Sequence, residues 1–180
     1  VEKWQLLNST QVIDNYWTKV YKNHYKLPNG VDLPEWYIVE RMDYVVVIAQ
    51  AQDGKIVVEK QYRPATDCFF YELPAGNIEH NRSVEETALL ELKEETGYIG
   101  TNPRIILKTS PIAGIVKAWG YFVLVDIVSK GSPQNEETED IQSELLTVDQ
   151  IGDLYQNSKY CDMGLYTGLF AYLQYMKKHE

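Results

Sequence analysis

Glu91, Glu94 and Glu95 fall within five residues, in the run Glu91-Leu92-Lys93-Glu94-Glu95. Spacings of three and four place Glu91 beside both of the others on one face of a helix. Like charges so arranged destabilise a helix by roughly 0.2–0.5 kcal/mol per pair, and Lys93 lies round the cylinder from them. A divalent cation would turn this repulsion into attraction, and hard carboxylate oxygens suit Mg2+ or Mn2+. On composition alone, a solvated acidic surface is the commoner outcome of such a run. The surroundings shift the balance. A strand and a Pro74-Ala75-Gly76 turn lead into the helix, and such a turn can aim backbone carbonyls at a metal.

The helix that must carry these acids has defined ends. Ser83-Val84-Glu85-Glu86 is a capping box, with Ser83 at the N-cap and Glu86 at the third helical position. Gly97 sits where a left-handed residue closes a helix. Val84, Ala88 and Leu92 recur every four residues and should face a core.

Around this helix the chain reads mostly as strands. Residues 1 to 13 are ambiguous. Tyr16 to Tyr21 and Trp36 to Val39 are rich in β-branched and aromatic residues, and Leu27-Pro28-Asn29-Gly30 between them is a turn signal. Tyr44 to Gln50 is a continuous apolar run, the mark of a buried central strand. Asp53-Gly54 is a second hairpin turn, leading to a strand from Lys55 to Tyr62. Further strands are expected at Phe69 to Leu73, Arg104 to Lys108, Gly120 to Val128 and Gln142 to Thr147. Helices are expected at Val148 to Gln156 and near Gly164 to Lys178, the latter with an apolar face at Tyr166, Leu169, Phe170, Leu173 and Met176. Strands outnumber helices and their order is mixed, so the fold class is α+β or an α/β sandwich with a mixed sheet. Residues 1–42 form an antiparallel β arm, and residues 43–180 the catalytic domain.

Composition narrows the partners. The net charge of −9 argues against a protein that tracks a nucleic-acid backbone, which calls for basic stripes. It leaves room for a phosphate-bearing small molecule, since bound cations reverse the local field. The two cysteines, Cys68 and Cys161, have no CxxC spacing, so a disulfide framework is not expected and the setting reads as reducing and cytoplasmic. No apolar run approaches the ~20 residues of a membrane span, and the start of the chain has no signal-peptide core.

The segment from Gly76 to Tyr98 resembles the Nudix box, whose pattern is G-x5-E-x7-R-E-U-x-E-E-x-G-U with U a bulky aliphatic residue. Gly76, Glu91, Leu92, Glu94, Glu95 and Gly97 match in register, and Tyr98 matches loosely. Two positions depart. The family's first Glu falls on Arg82 and its Arg on Leu90; in the family these are commonly a salt-bridged pair that orients the helix. Because both are absent, no single unpaired charge is left behind. Gln61-Tyr62-Arg63, Glu72-Leu73-Pro74-Ala75-Gly76, the aromatic arm and Glu137-Thr138-Glu139-Asp140-Ile141 are similar to the ADP-ribose pyrophosphatase branch, over roughly residues 16 to 175.

The resemblance implies a role for each matching residue. Glu91, Glu95 and the carbonyl of Ala75 would ligate metal, joined by Glu139. Glu94 would be a third ligand or a supporting group, and Glu137 the general base. Arg63 would grip the diphosphate or terminal ribose, with Glu72 in the same substrate-binding set, since a guanidinium fork matches phosphate oxygens. Arg41, Trp36 and Tyr37 could contact the base, aromatic faces being good stacking platforms; packing in a core or dimer interface is the alternative use of the aromatics. The implied activity is Mg2+- or Mn2+-dependent hydrolysis of a nucleoside diphosphate sugar, ADP-ribose or a nucleotide hexose, giving a nucleoside monophosphate and a sugar phosphate. The irregular Ser110-Pro111-Ile112-Ala113-Gly114 loop is followed by Lys117 where the branch often has an acid, which favours a different distal group. The arm implies a homodimer. The rival reading is a catalytically weakened nucleotide-binding or regulatory module; retention of all three helix carboxylates argues against it.

Overall fold

The computed structural model describes residues 1–134, 140–157 and 159–179. They divide into two units, one made of Val1–Asp43 with Thr109–Gly120, the other of Tyr44–Lys108 with Tyr121–Glu180.

The first unit is a four-stranded sheet. Its strands are β1 (Gln5–Asp14), β2 (Lys19–Lys26), β3 (Asp32–Glu40) and, from the later segment, β9 (Val116–Lys117), in the order β1-β2-β3-β9. β1–β2 and β2–β3 are antiparallel, while β9 joins β3 in parallel. The β2–β3 turn closes with the Gly30 N–H donating to Leu27 O, Gly30 at φ +85°. That is the conformation an Asn-Gly turn supplies. The ambiguous first residues are thus a strand: Leu6, Leu7, Val12 and Ile13 do not alternate with polar residues in a clean period of two. The register with β2 slips between Leu6 and Asn8 and again between Gln11 and Ile13, which scrambles the alternation a strand would otherwise show.

The second unit is a mixed sheet with helices on both faces. It contains β4 (Tyr44–Gln50), β5 (Ile56–Arg63), β6 (Cys68–Glu72), β7 (Ala75–Asn77), β8 (Tyr98–Thr109), β10 (Gly120–Lys130) and β11 (Gln142–Leu146). The path is β11-β5-β4-β10-β8, with β6 added on β5 and β7 on β4. The helices are α1 (Val84–Thr96), α2 (Val148–Gln156) and α3 (Met163–His179).

Strand alternation splits the core in two. Val45, Val47, Ala49, Val57, Val123 and Val125 face α1, where Ala88 and Leu92 complete the layer. Val46, Ile48, Ile56, Val58, Phe122 and Leu124 face the other way, against Ile151 of α2 and Leu165 and Tyr172 of α3. β4 is buried on both faces, which is why it reads as an unbroken apolar run.

α3 turns inward a face that only partly matches the one its sequence suggests: Leu169 and Met176 pack against the core. Tyr166, Phe170 and Leu173 are exposed, whereas Leu165, Gly168, Ala171 and Tyr172 are buried. The helix is apolar nearly all round, so periodicity alone leaves its rotation open. Gly168 settles it: a Cβ there would lie 2.5 Å from Leu73 Cδ1, so the backbone approaches the sheet at that point. No helix among the described residues is long and apolar enough to cross a membrane.

Candidate active site

α1 begins and ends as its sequence dictates. Ser83 Oγ accepts from the Glu86 N–H at 3.1 Å, and Glu86 Oε2 accepts from the Ser83 N–H at 2.9 Å. Gly97 takes φ +74° and donates to Lys93 O. Ala88 and Leu92 are fully buried, and Lys93 is exposed. This rotation turns Glu91 and Glu95 toward the loop that follows β6.

There the two acids meet the turn at residues 75 and 76. Glu95 is 6% exposed and accepts from the Ala75 N–H at 3.1 Å through Oε2. Glu91 is half-buried, and its carboxylate occupies the space beside Gly76 where a Cβ would stand. A side chain at 76 would displace that carboxylate, because the carboxylate fills the volume of the missing Cβ. Glu94 is half-buried on the same turn of helix.

β5 supplies the opposite wall. Its first half, Ile56 to Val58, is apolar and buried; its second half is polar. Alternation puts Glu59, Gln61 and Arg63 on the face that carries Val57, toward α1. Register sets Glu59 opposite Glu72 of β6, on that same face. Arg63 donates to Glu72 in a side-on fork, Nε to Oε1 at 2.7 Å and Nη2 to Oε2 at 2.5 Å. Glu72 is 5% exposed, and its carboxylate raises the Arg63 guanidinium above its usual range.

Two acids here escaped the sequence reading. Glu59 is 1% exposed; its signal was a charge set immediately after a buried apolar run, on the same strand face as Arg63. Asp162 caps α3, accepting from Gly164 N–H at 2.9 Å and Leu165 N–H at 2.7 Å. An Asp just before a helix start is a legible cap, but nothing local says what it lies beside. That comes from tertiary pairing: Tyr71 N–H donates to Tyr160 O, Asp162 N–H donates to Tyr71 O, and Cys161 bridges Tyr71 in parallel. Asp162 is thereby the neighbour of Glu72. Burial raises its carboxyl, and the Glu72 charge adds to the effect. The guanidinium of Arg63 lies in the field of Glu72, Asp162 and Glu95 together.

Such crowding of carboxylates about one turn fits a hard divalent cation. Glu91, Glu95 and the Ala75 backbone are the groups that could hold it. Among the described residues no three acidic, His or Cys side chains are close enough to hold a metal by themselves. Glu137 and Glu139 lie outside the described residues.

The other expected site residues, Arg41, Trp36 and Tyr37, belong to the first unit. Arg41 Nη1 donates to Thr18 Oγ1 at 3.1 Å. Trp36 Nε1 donates to Gly114 O at 3.2 Å, and its ring meets Trp4 edge-on at 5.6 Å. Tyr37, the next residue along β3, points to the opposite face and is 47% exposed. Lys117 forms an ion pair with Glu40 at 2.5 Å.

Residues 40–161 match the family model described as the NUDIX domain. Over 171 residues, 95% of this chain and 82% of the relative, the sequence is 26% identical to CMP-5'-(N-acetyl-N-hydroxy-3-aminopropyl)phosphonate hydrolase of Streptomyces rubellomurinus. It is 40% identical over 90 residues to ADP-ribose pyrophosphatase of Bacillus subtilis, covering 50% of this chain and 45% of that one. The fold superposes on a solved structure titled "Crystal structure of ADP compounds hydrolase" with a TM-score of 0.87 at 20% identity, across 99% of this chain and 97% of that one.

Proposed function

This chain belongs to the Nudix family, and from that premise we propose that it hydrolyses the diphosphate linkage of a nucleoside diphosphate sugar in a divalent-metal-dependent reaction. The observation that carries this reading is the convergence of Glu91 and Glu95 on the Ala75–Gly76 turn. Mg2+ is the metal proposed, with Mn2+ able to replace it, because the donor set is all oxygen.

Glu91, Glu95 and the Ala75 carbonyl would hold the metal, joined by Glu139. When bound, the cation supplies neutralisation of charge on the diphosphate and on the departing phosphate. The protein's own groups do the rest. Ala75 N–H fixes the Glu95 carboxylate in one orientation. Glu72 holds the Arg63 fork through Nε and Nη2, so Nη1 is the donor a phosphate oxygen would take. Glu137 is proposed to take the proton from the attacking water, with Glu94 supporting the helix carboxylates. Water adds to one phosphorus, the bridging P–O bond breaks, and a nucleoside monophosphate and a sugar phosphate leave.

Base and distal sugar are set elsewhere. Trp36, Tyr37 and Arg41 are proposed contacts for the base. Residues 1–42 are proposed as the dimerisation arm: β1 is exposed along its whole length, with Leu6, Leu7, Val12 and Ile13 each 45–52% exposed, and an exposed edge strand pairs readily. The test of function is a panel of ADP-ribose, ADP-hexoses and a CMP-linked phosphonate, assayed with Mg2+ or Mn2+ in isotopically labelled water with product identification. Metal-dependent release of a nucleoside monophosphate from a diphosphate-linked substrate is expected. No turnover of any member would favour the regulatory-module reading instead.

A further inference from the structure

The helix α1 is anchored unevenly. At its N-terminal end the hydrogen bonds and ion pairs are local, and the tie to the sheet is the apolar packing of Val84 and Ala88. The capping box joins Ser83 to Glu86, Thr87 Oγ1 donates to Ser83 O at 2.8 Å, and Arg82 pairs with Glu79 at 3.5 Å. All of these lie within residues 79–87, so they shape the first turn without tying it to the sheet.

The C-terminal end is tied to distant chain. The last carbonyls of a helix lack partners within it. Here Glu94 O accepts from the Gln134 N–H at 2.7 Å, and Gly97 O accepts from the Gly131 N–H at 2.7 Å. Both donors come from the segment that leaves β10, the strand whose Phe122 to Val125 are buried in the two core layers. Ser132 and Pro133 lie between the two donors, and Pro133 has no N–H to offer. The approach is close because residue 97 has no side chain: a Cβ there would lie 2.6 Å from Gly131 O and 2.9 Å from Pro133 N.

We propose that this backbone clamp, Gln134 N–H to Glu94 O and Gly131 N–H to Gly97 O, holds the last turn of α1, whose rotation the buried Ala88 and Leu92 set, and so positions Glu94 and Glu95. Gln134 is then a positioning residue whose working atom is its backbone nitrogen, not its side chain. The proposal rests on the metal-dependent hydrolase reading given above. Two observations favour it. The clamped carbonyl belongs to Glu94, next to the carboxylate that Ala75 N–H orients. The partner segment is rooted in the most buried strands, so it offers a fixed reference, which the N-terminal cap does not.

The test compares Gln134→Pro, which deletes the N–H, with Gln134→Ala, which keeps it. Three quantities are read: kcat and KM on the best substrate of the panel, Mn2+ binding followed by electron paramagnetic resonance, and hydrogen exchange of the Gly131 and Gln134 amides in the unaltered protein. With the fold retained by circular dichroism, Gln134→Pro should lower kcat roughly 10- to 100-fold, the scale of a misplaced reacting group, with KM changed less than about threefold on the same grounds. Mn2+ binding should weaken, and Gln134→Ala should stay within about twofold of the unaltered protein on every count, since side-chain changes away from contacts act weakly. Both amides should exchange slowly. Fast exchange of the Gln134 amide would overturn the clamp whether or not the proline variant folds. A folded Gln134→Pro with normal kcat and Mn2+ binding would overturn it too, as would an equal loss in Gln134→Ala. If the unaltered protein binds Mn2+ but turns over nothing, the hydrolase reading fails, and the clamp is still decided by Mn2+ binding and exchange.

Discussion

Two sets of candidate site residues behave differently once folded: the carboxylates of α1 and the aromatics of β3. Glu91 and Glu95, four apart on a helix, end on one face and meet one turn. Trp36 and Tyr37, adjacent on a strand, end on opposite faces, and Trp36 is engaged with Trp4 and Gly114. Clustering in sequence means convergence only when the spacing matches the period of the element. A gap of four brings helix side chains together, whereas a gap of one separates strand side chains.

The contrast can be broken or sharpened by substitution. The largest effect is expected from Glu95→Gln. It keeps an oxygen for the Ala75 N–H but removes the charge, so metal-dependent turnover should fall below detection with an unchanged melting profile. Turnover near the starting level would remove Glu95 from the metal site. Gly76→Ala comes next, because its methyl collides with the Glu91 carboxylate. The carboxylate ends a flexible side chain and can swing aside, so a large drop in kcat should come with little change in melting temperature. An unaffected enzyme would mean that Glu91 does not act from its place beside Gly76.

Arg63→Lys should raise KM roughly tenfold, since an ammonium cannot keep the side-on fork to Glu72; steady-state kinetics would show it, and an unchanged KM would place the diphosphate elsewhere. Smaller still, only one of Trp36→Ala and Tyr37→Ala should raise KM, by a few-fold on the scale of one lost stacking contact. Equal effects from both would mean that the base is gripped from two sides of β3.

The smallest effect concerns Asp162. Its raised carboxyl contributes stability that is present below the unfolded Asp value of about 3.9 and is lost as pH rises through the folded value. Asp162→Asn should therefore gain on the unaltered protein between about pH 4 and 7. Denaturant melts at the two pH values measure this, and a gap that is constant or moves the other way would contradict the burial assigned to Asp162.

Local signals carried much of this into view. The capping box, Gly97, the Asn-Gly turn and the apolar run of β4 each follow from contacts a few residues long, and the fold class followed from their order. What stayed hidden depends on distant partners. The rotation of α3 needed the close approach of Gly168 to Leu73. The place of Asp162 needed its bridge to Tyr71, and that of Glu59 needed the register of β5 with β6. Arg63 was legible as a site residue, but not the fork that holds it.

The carboxylate lodged over Gly76 also makes a statement about inheritance. Positions 76 and 91 share one volume, so a change at either is felt at the other, and their effects should not add. Glu91→Asp withdraws the carboxylate by one methylene and should relieve the crowding made by Gly76→Ala while leaving the reaction impaired. Change at these two sites is therefore coupled, and a pair of substitutions can restore the fit without restoring the reaction.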